Sequence, residues 1–149
     1  MAPGVAAGLV PWLITNWRVE TDSVPVRLLG ALLIAIGVAF LLHAFARFVI
    51  EGFGTPAPVA PPSRLVVGGA YRHVRNPMYL AVEATIVGQA LFLGQPALLA
   101  WAAAFGATVF AFVVLYEEPT LRERFGEGYD AYRTAVPGWL PRLRAWRGE

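Results

Sequence analysis

Two long runs without a formal charge constrain the fold of this chain more than any other feature of its sequence. Leu28–Ala46 has nineteen such residues, with only the titratable His43 among them, and Ala84–Tyr116 has thirty-three. Nineteen helical residues extend about 28 Å, which matches the hydrocarbon thickness of a bilayer. The second run is too long for one helix, and residues 94–96 (Gly-Gln-Pro) form a turn signal within it. The sequence therefore predicts a membrane protein that contains a tight helical hairpin.

The composition agrees with a membrane location and excludes several kinds of chemistry. Hydrophobic residues make up 57% of the chain and charged residues only 15%, whereas soluble domains have about 25% charged residues. The absence of cysteine excludes disulfides, thiolate catalysis and cysteine-based zinc sites. With two histidines and a net charge of +2, we expect no metal site and no nucleic-acid partner.

The predicted architecture is all-α: one membrane domain over residues 1–149, built as a polytopic helical bundle. It should have about four transmembrane helices and a C-terminal amphipathic helix on the cytoplasmic side. The first span is short and contains two prolines, so an interfacial or re-entrant segment is its alternative. We place the four spans near residues 3–17, 28–48, 78–93 and 97–116.

The distribution of arginine predicts the orientation. All twelve basic residues are Arg, and four spans would place Arg18 and Arg27 on one side and the other ten on the opposite side. Because cytoplasmic loops carry the excess of basic residues, the long loop and the C-terminal tail should be cytoplasmic. We expect an integral protein of a bacterial inner membrane, with both termini and any active site on the cytoplasmic side and the oligomeric state open.

The first polar segment, residues 64–79, follows a proline-rich linker at 55–63. Asn76 and Pro77 have a structural interpretation as the N-cap and first residue of the third span. Arg72 and Arg75 likewise suit an anchoring role at lipid phosphates.

The second polar segment begins with Glu117-Glu118-Pro119. Downstream, apolar and aromatic residues recur every three or four positions, which predicts an amphipathic helix on the membrane surface. The adjacent carboxylates are either solvated at the start of this helix or face a cationic or hydroxyl-rich ligand. The residues of the apolar face are Leu121, Phe125, Tyr129 and Tyr132.

These two segments together resemble the integral-membrane methyltransferases, the superfamily that includes isoprenylcysteine carboxyl methyltransferases and phospholipid N-methyltransferases. The resemblance covers about half of the chain, residues 64–141. Three ordered motifs carry it: LV-x-G-G-x-Y, R-[HN]-P-x-Y and, after an apolar hairpin, E-E-x-x-L-x-x-x-F-G-x-x-Y-x-x-Y-x-x-x-V-P. They correspond to Leu65, Val66, Gly68 or Gly69, Tyr71, Arg75, Asn76, Pro77, Tyr79, Glu117, Glu118, Leu121, Phe125, Gly126, Tyr129, Tyr132, Val136 and Pro137.

The resemblance implies that S-adenosylmethionine is the cofactor and that a membrane lipid or lipidated molecule is the methyl acceptor. Acidic side chains suit the hydroxyls and positive charge of this cofactor, and tyrosine rings suit its base or its cation. We assign acceptor or cofactor orientation to Arg75 and proton handling to Glu118 or Tyr132. The implied cofactor-binding residues are Leu65, Val66, Tyr71, Asn76, Pro77, Met78, Tyr79, Glu117 and Glu118.

The sequence leaves two kinds of methyl acceptor possible, a carboxylate and an amine. The resemblance favours an isoprenylcysteine carboxylate, with a phospholipid amine as the alternative. Many relatives have His where this chain has Asn76 and Gly where it has Ala81. Carboxylate-methylating members tend to have Arg at the position of Val113. A membrane scaffold without catalysis and an NADPH-dependent reductase are the competing classes.

Glu83 is a separate intramembrane acid, four residues after Tyr79 on the same helix face. An acid at this depth is a candidate functional residue. A hydrogen bond to His43 is the structural alternative.

Overall fold

The computed structural model describes residues 2–52 and 63–148, and all regular elements within these residues are helical. The all-α prediction is therefore confirmed for this part of the chain, while residues 55–62 of the predicted linker lie outside it. A π-helical turn, Val5–Leu9, leads into the first α-helix, and a 3₁₀ turn, Gly69–Arg72, precedes the third. The α-helices are α1 (Val10–Thr15), α2 (Val24–Gly52), α3 (Pro77–Leu93), α4 (Ala97–Phe112), α5 (Glu118–Phe125) and α6 (Glu127–Ala135).

Two helices among the described residues are long and apolar enough to cross a bilayer. They are Val24–Glu51, of 28 residues, and Ala97–Phe125, of 29 residues. The second comprises α4, a π-helical segment and α5. The other apolar helices, Val5–Thr15 and Pro77–Leu93, are shorter. Two of the four predicted spans thus correspond to helices of full spanning length, and the count of four stays a prediction.

The predicted break between the hairpin arms is confirmed at Gly94. α3 ends at Leu93 and α4 begins at Ala97. Gly94 has φ +70°, a left-handed conformation that glycine adopts without steric cost. The side-chain amide of Gln95 donates to the Arg18 carbonyl at 2.7 Å, which ties the turn to the segment that follows α1.

Each π-helical segment ends two residues before a proline that the helix has to accommodate. Val5–Leu9 is followed by Pro11, and Val113–Glu117 is followed by Pro119. Proline has no backbone N–H and its ring clashes with the carbonyl four residues earlier. The preceding turn widens instead, and the Glu118 N–H donates to the Val113 carbonyl five residues back.

The chain divides into two compact units, the first comprising residues 1–39 and 79–109. In this unit the first half of α2 packs against α3 through glycine, with Gly30 and Gly88 at the point of contact. Small residues at such positions let helix backbones approach closely. Glu83 lies on α3, and its Oε2 is buried without a hydrogen-bond partner among the described residues. A hydrogen bond to His43, the structural alternative considered for Glu83, is therefore not made at this oxygen.

The second unit comprises residues 40–78 and 110–149 and contains two buried clusters. One groups Ala44 with Val66, Tyr71 and Met78. The other is centred on three residues of the C-terminal segment, which are packed against Leu65 and Val67. These three residues are Tyr129, Tyr132 and Val136.

The C-terminal segment differs from the single surface helix that its periodicity predicts. Gly126, with φ +52° and ψ −129°, interrupts the helix between α5 and α6. Tyr129 and Tyr132 are only 2% and 3% exposed because their face packs on protein residues of the 64–79 segment. Intramolecular packing therefore covers the centre of the apolar face that we assigned to the membrane surface.

Candidate active site

Most of the residues predicted to form the site lie in the second unit. Of the predicted set, only Tyr79 belongs to the first unit, on α3. The others come from two stretches that are more than thirty residues apart in sequence. The structure brings these stretches together around Arg75.

Arg75 is the centre of the site and contacts three parts of the C-terminal segment. Its Nη1 lies 2.5 Å from Oε1 of Glu118 and 3.1 Å from the Tyr129 hydroxyl. Its Nε donates to the Val136 carbonyl at 3.0 Å, and its backbone N–H donates to Pro137. The two predicted catalytic residues, Arg75 and Glu118, are therefore an ion pair.

Glu118 is held between two cations. Oε1 contacts Arg75, and Oε2 lies 3.1 Å from Nη2 of Arg133 on α6. The Arg75 and Glu118 side chains are 14% and 12% exposed, whereas Arg133 is 48% exposed. Because solvent screens exposed pairs strongly and buried pairs much less, Arg75 is the dominant partner of this carboxylate.

The two buried tyrosines keep their protons. Burial raises the pKa of Tyr129, and the nearby Glu118 carboxylate raises it further, while Arg75 lowers it. Burial also raises the pKa of Tyr132, and its hydroxyl donates to the Tyr71 carbonyl at 2.6 Å. Tyr132 is therefore a poor general base, contrary to one of the roles considered from the sequence.

Asn76 and Pro77 lie where the third helix begins, as predicted, since α3 starts at Pro77. Asn76 is 8% exposed, and its Nδ2 donates to the Gly138 carbonyl at 3.1 Å. The amide thus has a partner that the sequence pattern does not reveal. This bond joins the start of α3 to the residues that follow α6.

Three predicted cofactor contacts, Val66, Tyr71 and Met78, are core residues in the structure. They are 5%, 7% and 8% exposed and pack against Ala44 of α2. Leu65 packs in the neighbouring cluster with the buried tyrosines. Packing of this kind fixes the backbone of the 64–79 segment. Direct contacts from these side chains to a ligand stay a prediction.

Glu51, at the end of α2, is a residue that sequence reasoning missed. Its Oε2 accepts a hydrogen bond from the Gly68 N–H at 2.8 Å, and its Oε1 lies 3.2 Å from Nη1 of Arg47. A Cβ atom at Gly68 would meet the Glu51 carboxylate, so a larger residue there would displace this flexible side chain from its hydrogen bond. Glu51 could have been noticed in the sequence because Arg47 lies four residues before it, a spacing at which two charged side chains pair on a helix face.

We expect Tyr132→Phe to lower the free energy of unfolding by about 1–2 kcal/mol, because it removes the buried hydroxyl that donates to the Tyr71 carbonyl. Thermal unfolding in detergent should show this as a lower melting temperature. Tyr116→Phe is the control, since Tyr116 is 52% exposed. Equal melting temperatures for the two variants would show that the hydroxyl has no such role.

The chain matches the family model described as phospholipid methyltransferase over residues 26–128. This range contains the 64–79 segment, Arg75 and both glutamates. No curated protein and no solved structure matches the chain. Among residues 2–52 and 63–148 there is no group of three or more His, Asp or Glu side chains that could hold a metal ion. The family match covers more than two thirds of the sequence, and the chain therefore belongs to the phospholipid methyltransferase family, a family of membrane methyltransferases.

Proposed function

We propose that this chain is an S-adenosylmethionine-dependent methyltransferase that acts on a lipidic acceptor at the cytoplasmic face of the membrane. The observation that carries the proposal is the partly buried ion pair between Arg75 and Glu118, 2.5 Å apart. It joins the two segments on which the family resemblance rests. The family match over residues 26–128 supports the same reaction class.

The donor set of the site fits the proposed cofactor. Adjacent carboxylates can accept hydrogen bonds from ribose hydroxyls and from an ammonium group, and they offset a sulfonium charge. Both glutamates are partly buried, which strengthens such interactions. When bound, S-adenosylmethionine supplies a methyl carbon whose bond to sulfur breaks as an acceptor lone pair bonds to it. We propose Glu117 and Asn76 as its polar contacts.

We propose a phospholipid amine as the acceptor, ahead of an isoprenylcysteine carboxylate. A carboxylate acceptor needs a cation to orient it. Val113, at the position where carboxylate-methylating relatives have Arg, is apolar and 1% exposed. Three arginines could orient a carboxylate instead. Two of them, Arg75 and Arg122, are already paired with Glu118 and Asp130, and the third, Arg72, is exposed to solvent. These observations favour an acceptor without negative charge at its reacting atom.

An amine acceptor must lose a proton before it can attack the methyl carbon. We propose that Oε2 of Glu118 takes this proton. Its partner Arg133 is half exposed and held weakly, so this oxygen can exchange partners while Oε1 stays on Arg75. Arg75 then acts as a positioning residue for the carboxylate.

For the membrane arrangement, we propose a single domain over residues 1–149 with four crossings and both termini cytoplasmic. α3 is joined to α4 by a turn of only three residues, so α3 has to cross in the opposite direction if α4 spans. The 17 residues of α3 extend about 26 Å. The first crossing, over Val5–Thr15, is shorter and has to be completed by flanking residues.

The proposal is tested by titrating the full chain in lipid nanodiscs with S-adenosylmethionine and, separately, with NADPH. We expect binding of S-adenosylmethionine only. Glu117→Ala should weaken it about tenfold or more, because a charge-assisted hydrogen bond contributes roughly 1.5–3 kcal/mol. Glu123→Ala is the matched control, since Glu123 is an exposed acid on α5.

The acceptor is then identified with a labelled methyl donor. Nanodiscs with and without phosphatidylethanolamine are compared with nanodiscs that contain a prenylcysteine. We expect label in the phosphatidylethanolamine fraction. Label on the prenylcysteine alone would reverse our choice of acceptor. A wild-type chain that binds no S-adenosylmethionine would overturn the enzyme proposal in favour of a scaffold, and NADPH binding would indicate a reductase.

A further inference from the structure

The residues that follow α6 form an irregular strap, residues 137–147, which is bonded along the segment before α3. The Arg75 N–H donates to the Pro137 carbonyl at 2.9 Å, and the Arg142 N–H donates to the His73 carbonyl at 2.9 Å. The Trp146 N–H donates to the Arg72 carbonyl at 3.0 Å. The strap is therefore held at both ends.

The strap has one covered side and one apolar side that no described residue covers. Trp146 turns inward, and its ring centroid lies 5.4 Å from that of Tyr132. Leu140 and Leu143 turn outward and are 80% and 100% exposed. Exposed leucines on backbone that is fixed by hydrogen bonds form a constant apolar surface, and burial of each would be favourable.

The charge of the strap matches one kind of partner. Residues 137–147 contain three arginines and no acidic residue, and two of the three, Arg144 and Arg147, are exposed. Leucines that alternate with arginines suit a surface with hydrocarbon beside phosphate groups. An acidic protein partner would explain the exposed arginines, but it would not explain why the leucines beside them are exposed.

The position of the strap points to the same partner. Trp139, at its start, packs on Phe110 with ring centroids 5.7 Å apart. Phe110 lies within Ala97–Phe125, one of the two helices long enough to cross a bilayer. The strap thus begins against the wall of a candidate spanning helix, where a membrane surface is adjacent.

We propose that the strap docks on the anionic lipid surface of the membrane, with Leu140 and Leu143 at the acyl boundary and Arg144 and Arg147 at lipid phosphates. This contact does not depend on methyl transfer. Through its bonds to Arg72 and His73, it holds the 64–79 segment at the level of the headgroups.

Because the chain contains no cysteine, a single introduced cysteine can report on the strap. Leu143→Cys carries an environment-sensitive fluorophore in nanodiscs of phosphatidylcholine, with or without phosphatidylglycerol. Lipids with a doxyl group on the acyl chain serve as quenchers. Ala131→Cys is the control, since Ala131 is exposed on α6. We expect a blue-shifted emission and several-fold stronger quenching at position 143, increased further by phosphatidylglycerol.

Adding Arg144→Gln and Arg147→Gln to the labelled chain should remove the increase caused by phosphatidylglycerol, since each arginine near an anionic surface contributes to binding. Equal quenching at positions 143 and 131 would overturn the proposal. A second outcome would also overturn it: the label at position 143 is shielded from water, but the doxyl lipids do not quench it, and the shielding increases as more chains occupy each nanodisc. That result would mean that a second copy of the chain covers the strap.

Discussion

Replacing Arg75 with glutamine is expected to lower the free energy of unfolding by about 2–3 kcal/mol, just below the range found when one partner of a fully buried ion pair is removed, because both side chains keep some solvent exposure. The guanidinium contacts Glu118, Tyr129 and the Val136 carbonyl. Its loss leaves the Glu118 carboxylate, 12% exposed, with only the half-exposed Arg133 as a cation. Denaturant titration in detergent micelles, followed by tyrosine and tryptophan fluorescence, measures the change.

The matched control is Arg122→Gln. Arg122 pairs with Asp130 at 3.1 Å, but these side chains are 63% and 43% exposed, so the expected loss is below about 1 kcal/mol. A double-mutant cycle with Glu118→Gln isolates the pair itself. We expect the double variant to be clearly more stable than the sum of the single losses predicts. Equal losses for Arg75→Gln and Arg122→Gln would refute the central role of Arg75.

Gly30→Ala is expected to have the second largest effect and to act on the first unit. A Cβ atom at Gly30 would lie 2.5 Å from the Phe92 backbone nitrogen and 2.7 Å from the Gly88 carbonyl oxygen. Backbone atoms of a helix cannot turn aside, so α2 and α3 would have to move apart. Overpacking of this kind costs about 1–3 kcal/mol. Unfolding of the purified variant by titration with a denaturing detergent measures the loss.

Gly8→Ala is the control for this prediction. Gly8 also lies in a helical segment, but a Cβ atom there would have no neighbour within 4 Å. Because alanine favours helix over glycine, the expected effect is a stabilisation of about 0.5–1 kcal/mol. If Gly30→Ala lowered the free energy of unfolding no more than Gly8→Ala does, the inferred close contact between α2 and α3 at Gly30 would be refuted.

Features that depend on neighbouring residues could be predicted from the sequence. The hairpin break at residues 94–96, the start of α3 at Pro77 and the two long apolar helices all agree with the structure. Each follows from backbone preferences of Gly or Pro or from a run of apolar residues. The interruption at Gly126 was not predicted, because the apolar periodicity continues through it and only the conformation of this glycine breaks the helix.

The π-helical segments could have been found from the prolines. Pro11 and Pro119 each lie within or just after an apolar helical run, and a proline there has to remove one hydrogen bond of the helix. Whether the helix kinks, ends or widens by one residue depends on what packs around it. Val113 at the start of the second π segment is buried, a constraint that the local sequence does not contain.

The sequence predicted which residues belong to the candidate site, but it did not predict which of them form an ion pair. The motifs singled out Arg75 and Glu118 separately, at positions 43 residues apart. Nothing in their spacing indicated that each is the partner of the other. Glu51 was not selected at all, because its hydrogen bond to Gly68 joins residues that are 17 positions apart through packing rather than through a shared helix face.

The sequence by itself determined that this chain is an apolar, all-helical protein with an excess of arginine in two polar segments. These properties are sums over single residues or short windows, so no distant contact is needed to infer them. Only the tertiary structure decided which charges neutralise each other, which tyrosines are buried and which glycines let helices touch. Such contacts join residues that are far apart along the chain, and their energies depend on the burial that folding creates.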